Sequence, residues 1–139
     1  MNESSRLTRL PPGGTRTGIP VVARERWNPL GVVAGPGESF EFGCTGRWVD
    51  WTIECGPEGY PGTWAQRWVR ALRRKRDAPW FCVVGALDRN HQWLFEIGAG
   101  GMWTNTTGRL APLYAFANDV PGFYWNNRGE VQLDIKRVR

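Results

Sequence analysis

Two stretches of the chain alternate cleanly between apolar and polar positions. In S-F-E-F-G-C-T-G, residues 39–46, Phe40, Phe42 and Cys44 fall on one side and Glu41, Gly43 and Thr45 on the other. In G-E-V-Q-L-D-I-K-R-V, residues 129–138, Val131, Leu133 and Ile135 oppose Gln132, Asp134 and Lys136. A period of two belongs to a half-buried strand, whose side chains point alternately to its two faces. Shorter runs add strands of the same kind. P-V-V-A-R-E-R-W opens one at Pro20 that closes at Asn28-Pro29, and L-G-V-V-A-G-P-G-E adds another with a Gly-Pro-Gly turn. F-C-V-V-G-A-L-D and W-L-F-E-I-G flank a hairpin turn over residues 88–92, and P-L-Y-A-F-A-N-D is a further strand. G-A-G-G-M-W-T-N-T-T-G reads as a loop or short edge strand. The glycines and prolines of residues 46–62 argue against any continuous element there and predict a long loop.

One segment carries a helical period instead. Trp64, Trp68 and Leu72 recur at i, i+4 and i+8 with Val69 beside them, and Thr63 stands where a cap would stand. The pattern predicts an α-helix over residues 63–76, with Trp64 and Trp68 packed on the sheets and basic residues in its last turns, where the helix dipole favours them. Ala78-Pro79 ends it. The sum is seven or eight short strands and one inserted α-helix, an all-β antiparallel sandwich over residues 20–139. Residues 1–19, rich in Ser, Thr, Arg, Pro and Gly, read as a flexible tail or an edge arm.

A chain of 139 residues suits one domain with a core large enough to need no staple. Nine tryptophans are spread along it, too widely for one site, so most are expected in the core. The charge is local: Arg67, Arg70, Arg73, Arg74, Lys75, Arg76 and Asp77 together hold +5, the net charge of the whole chain. Such a cluster can meet an anionic polymer, but a solvated helix face accounts for it more simply, and no nucleic-acid partner is expected. Three cysteines are an odd number, and no apolar leader opens the sequence. Both point to a reducing, cytoplasmic setting, or to export without a recognisable signal peptide. Zinc-ligand spacing is absent around the single histidine, His91. No apolar run is long enough to span a membrane. Nothing resembles a positioned nucleophile and base. Asp88 and His91 share a hairpin turn, Glu54 and Glu58 sit in the loop, and Cys44 and Cys82 lie in apolar strand patterns. Binding, not catalysis, is the expectation.

Chemistry concentrates in N-D-V-P-G-F-Y-W-N-N, residues 118–127, which joins two strongly patterned strands. Its donors are the oxygens of Asp119, Asn126, Asn127 and the loop carbonyls. That palette suits a hard cation such as calcium, which takes about six to eight oxygens. Turn chemistry alone gives the same residues a purely structural role.

The motif extends to N-D-V-P-G-F-Y-W-N-N-R-G-E-V and resembles the calcium loop of the bacterial galactophilic lectin family of PA-I type, N-D-V-P-G-x-Y-x-N-N-x-G. Weaker matches follow in order: G-x-W at residues 46–48, G-P-E-G at 56–59, F-C and G-A-L within 81–87, and I-G at 97–98. The similarity spans about residues 27–138. It implies a galactose-binding-domain-like or jelly-roll sandwich with Ca2+ as its cofactor. The side chains of Asp119, Asn126 and Asn127 and the Phe123 carbonyl would hold the ion, with a further carbonyl from Asp50 or Trp51. Two adjacent hydroxyls of a galactoside-like glycan would complete the coordination. Asp119, Asn126, Asn127, Trp125 and Tyr60 are thus the candidate ligand contacts, in a chain that can form homo-oligomers. The sequence departs from the family pattern at Trp125, which replaces a small residue, and at Arg128, which adds a charge. Tyr60-Pro61-Gly62-Thr63 stands where the family has His and Gln contacts to the sugar. The alternative is a non-catalytic interaction module that kept the fold and lost the sugar site, with or without loss of calcium binding.

Overall fold

The computed structural model describes residues 7–64 and 66–139. Nine strands form two antiparallel sheets packed face to face: β1 (Thr15–Val22), β2 (Asn28–Ala34), β3 (Ser39–Asp50), β4 (Ile53–Cys55), β5 (Val83–Leu87), β6 (Leu94–Glu96), β7 (Gly100–Thr104), β8 (Ala111–Ala117) and β9 (Asn127–Arg137). One sheet runs β1-β9-β3-β4, with β7 on the first half of β3; the other runs β2-β8-β5-β6. The β-sandwich expected from the alternating patterns is what forms.

The register of β3 with β9 explains why. It sets Phe42 opposite Ile135, Cys44 opposite Leu133 and Gly46 opposite Val131. Both alternating runs therefore present their apolar members to the same face, and all of these side chains are buried while Glu41, Gln132, Asp134 and Lys136 are exposed. Opposing residues come from Val83, Leu87, Leu113 and Ala115 of the second sheet. Trp48 meets Phe81 edge-on at 5.2 Å between ring centroids, and Phe95 stacks on Trp103 at 4.3 Å. The three cysteines are free and buried, and burial pushes the Cys44 and Cys82 thiols up to about 12.

Three expectations are corrected. Among the described residues there is no α-helix; residues 63–76 form two short 3-10 turns, Gln66–Trp68 and Arg70–Leu72, followed by bends, with residue 65 outside the description. The apolar stripe that predicted the helix is not buried: Trp64 and Trp68 are 77% and 78% exposed. Without a buried face, a helix this short has little to hold it together in water. Competing bonds also draw its second half onto the sandwich, from the Arg74 N–H to the Asp119 carbonyl at 3.0 Å and from the Lys75 N–H to Asn118 Oδ1 at 2.9 Å. The expected loop over residues 46–62 is shorter than predicted, because β3 continues to Asp50 and folds back as β4. Gly46 sits in the ladder with φ +113°, and a Cβ there would press on the Val131 backbone at 3.3 Å. The first strand starts at Thr15, within the stretch read as a tail. Leu10 is buried, and Thr8 bridges to Val32. Residues 1–6 lie outside the described residues.

Candidate functional site

The site lies where the β3–β4 turn, the connection from β8 to β9 and the Gln66–Trp68 turn come together. They enclose a cavity of about 580 Å³, walled by Asp50, Trp51, Gln66, Asp119, Phe123, Trp125 and Asn126, with Val69 and Trp80 at its base. Each wall has a local cause. Trp51 turns the chain at φ 57°, in the left-handed region, and folds β4 back on β3, while the β3–β9 register sets Asp50 opposite Asn127 at the start of β9. After β8, Asn118 fastens the connection. Its carboxamide donates to the carbonyls of Lys75, Ala78 and Pro79 and accepts from the Lys75 N–H. The first residue of the N-D-V-P-G motif is thus a structural staple. The Phe123 N–H closes the Pro121-Gly122 turn on the Val120 carbonyl at 3.0 Å. Tyr124 is buried and donates to the Ala117 carbonyl at 2.5 Å.

Asn126 ends a 3-10 turn and Asn127 begins β9, so the chain bends between two adjacent carboxamides. Asn127 lies opposite Asp50 in the ladder. Its Nδ2 donates to the Ala23 carbonyl at 3.1 Å, which fixes the amide with Oδ1 on the other side. Asp119 spends Oδ1 on the Val120 N–H at 2.7 Å. The remaining side-chain oxygens, Asp119 Oδ2, Asn126 Oδ1 and Asn127 Oδ1, are buried and have no donor at hydrogen-bond geometry, although the Asn127 amide lies near enough to Asp119 to offset part of the burial shift of its carboxyl. Buried acceptors are nearly always satisfied, so three orphans on neighbouring residues require an explanation.

The Asp50 carboxylate also lies at this site. The Tyr60 hydroxyl and, at 3.5 Å, the Gln66 amide donate to it, and that amide also reaches the Tyr60 oxygen at 2.6 Å. Burial pushes the Asp50 carboxyl up against these donors. Asp119 is pushed up to about 6, by burial first and by the charge of Asp50 second. Two buried carboxylates with few donors make the pocket electron-rich. No group of three or more His, Cys, Asp or Glu side chains able to hold a metal occurs among the described residues. The donor set here is instead two carboxylates, two carboxamides and nearby carbonyls, the hard oxygen ligands that suit calcium.

The structure thus gathers Asp50, Trp51, Asp119, Phe123, Trp125 and Asn126 in the lining of one cavity, with Asn127 outside that lining. Tyr60 stands behind Asp50 as its hydrogen-bond donor, not on the wall. Sequence reasoning missed two features: the side chain of Asp50, considered only for its carbonyl, and Gln66, assigned to a helix. Asp50 could have been found by continuing the alternation of β3 past Trp48, which places it on the buried face.

The basic segment is mostly occupied. Arg74 lays its guanidinium on Phe116 and Trp27, donates to the Arg26 carbonyl and the Tyr124 hydroxyl, and donates from Nε to His91. Arg73 covers Trp80, and Lys75 pairs with Asp77. These contacts build the wall behind the cavity and leave fewer cations for an anionic polymer.

No protein-family profile matches the chain, and no curated protein matches it. Among solved structures it is similar to a domain titled EclA N-terminal domain, a PllA-like lectin. The TM-score is 0.65 and the identity 15%, over 88% of this chain and 97% of that one. At that identity the similarity is one of fold: a lectin-like β-sandwich. No helix among the described residues is long and apolar enough to cross a membrane.

Proposed function

We propose that the protein is a calcium-dependent carbohydrate-binding module without catalytic activity, taking a galactoside-like sugar at the cavity beside Asp119. The observation that carries this reading is the trio of buried, unpartnered oxygens on Asp119, Asn126 and Asn127. A hard cation accounts for all three at once, because it replaces the missing donors and neutralises a carboxylate pair that burial disfavours. Asp119, Asn126 and Asn127 are the side-chain ligands in this reading, and the carbonyls of Phe123 and of Trp51 or Asp50 complete the set. The bound ion supplies two open positions for adjacent hydroxyls of a sugar ring. The chain's own residues do the remaining work. Trp51, Phe123 and Trp125 offer apolar faces to the ring, and Gln66 offers a polar edge held by Tyr60 and the Thr63 N–H.

The alternative, a module that lost its sugar site, rests on Trp125 filling the space and on the charge that Arg128 adds. Trp125 is 68% exposed and lines a cavity that remains open, which favours the binding reading. The test is a glycan array probed in calcium and after metal stripping, with wild type and Asp119→Ala. Calcium-dependent signal on terminal galactosides, lost in Asp119→Ala, is the expected outcome. Absence of signal on every glycan in calcium counts against the function, and equal signal after stripping counts against the metal.

A further inference from the structure

Two arginines from different parts of the chain bond to the backbone of residues that line this cavity. Arg24, just past β1, donates to the Trp125 carbonyl at 3.0 Å, and Arg128, the second residue of β9, donates to the Trp51 carbonyl at 3.4 Å. Trp51 and Trp125 both line the cavity. Each of these exposed indoles therefore has a guanidinium bonded to its own backbone. Both arginines are exposed, and neither belongs to an ion pair among the described residues. A guanidinium carries five N–H donors, and each of these spends one on the protein.

Solvated arginines are ordinary on a surface. These two differ because each is bonded to the backbone of a residue that lines the cavity. Their charge also opposes what a cation site alone calls for, since positive charge near a bound cation lowers its affinity. The placement makes sense when the ligand itself brings negative charge. The planar fork of arginine pairs with oxyanions through two parallel bonds, which suits a sulfate ester or a carboxylate.

We propose that the preferred ligand is an anionic glycan. One sugar ring occupies the cavity, and a sulfate ester or uronate carboxylate on the adjoining ring meets Arg24 and Arg128. This rests on the carbohydrate-binding reading above and adds the chemical class of the ligand. Exposed charge pairs are individually weak and screened by salt, so they set a preference and not an all-or-none requirement.

The test compares three galactose disaccharides that differ only in the second ring: neutral, sulfated, and carrying a uronate. Affinities are measured by calorimetry in calcium with wild type and with Arg24→Gln/Arg128→Gln. Glutamine removes the charge and keeps a polar, hydrogen-bonding side chain at each exposed position. The expected result is that at least one anionic disaccharide binds about three- to tenfold more tightly than the neutral one at low salt. That preference disappears at about 0.5 M NaCl and in the double variant, while the neutral disaccharide still binds in calcium. Preference for the sulfated or the uronate ligand alone identifies which anion is recognised. Equal affinity for all three, or a preference that survives in the double variant, overturns the inference and leaves the carbohydrate reading standing. Binding of none overturns both.

Discussion

The Asp119 carboxyl is held at about 6 by its burial and by the charge of Asp50, its neighbour at the cavity. In the unfolded chain an aspartate titrates near 3.9. The folded protein therefore binds this proton more tightly. Its contribution to stability is fully present below about pH 4 and is lost as pH rises through about 6. In metal-stripped protein the loss amounts to at most about 3 kcal/mol. Thermal melts between pH 4.5 and 7.5 measure it, with Asp119→Asn as the reference. A wild-type profile that runs parallel to that of the variant rules out the burial argument.

Calcium should act in the opposite sense, because it binds the ionised carboxylate. The gain in Tm on adding calcium is expected to grow between pH 5 and pH 7.5 and to vanish in Asp119→Ala. Asn127→Ala should remove it as well. That variant also costs about 1–3 kcal/mol without metal, since the buried Ala23 carbonyl loses its donor. A calcium shift that persists in both variants would move the ion elsewhere.

Tyr60 bears on the site through Asp50. Its hydroxyl donates to the buried carboxylate and accepts from the Gln66 amide. Tyr60→Phe is expected to cost about 1–3 kcal/mol in urea unfolding, and Gln66→Leu about 1 kcal/mol. The double variant should lose less than the sum, by at least about 0.5 kcal/mol, because both act on the same carboxylate. Strict additivity would show that Tyr60 and Gln66 do not form one network.

The two longest strands were legible because a period of two is unambiguous where one face is buried. Phe40, Phe42 and Cys44 and Val131, Leu133 and Ile135 meet across one ladder. The connection that brings Asp119 and Asn126 to the cavity was legible too, through the turn and oxygen chemistry of N-D-V-P-G-F-Y-W-N-N. The segment over residues 63–76 was not. Spacing alone cannot distinguish an apolar stripe that packs from one that faces solvent, and Trp64, Trp68 and Leu72 face solvent. Gln66 was hidden by the same error. Asp50 was hidden because glycines and prolines argued for a loop, whereas Gly46 is accommodated within β3 at positive φ.

Exposure of Trp64 and Trp68 has a direct consequence. Substituting either with Ala is expected to change stability by no more than about 0.5 kcal/mol. Trp48→Ala, a fully buried indole against Phe81, should cost about 3–5 kcal/mol. Acrylamide quenching should fall measurably in Trp64→Ala and Trp68→Ala. A large loss of stability in either variant would mean that the segment packs as a helix after all.

Arg74 separates the structural from the solvated part of the basic segment. Its guanidinium is half-buried on Phe116, Trp27 and Tyr124, burial lowers its pKa, and its donors reach Arg26, Tyr124 and His91. Its own N–H holds the Asp119 carbonyl. Arg74→Ala removes ring contacts and charge-assisted bonds together and should cost about 2–4 kcal/mol. Arg76→Ala, at an exposed position, should fall within about 0.5 kcal/mol of wild type. Because the segment is fastened to the Asp119 connection, Arg74→Ala is also expected to weaken calcium binding measured by calorimetry, while Arg76→Ala leaves it intact. Equal effects of the two substitutions would make the segment a uniform charged face, and the anchoring of Asp119 would have to come from Asn118 alone.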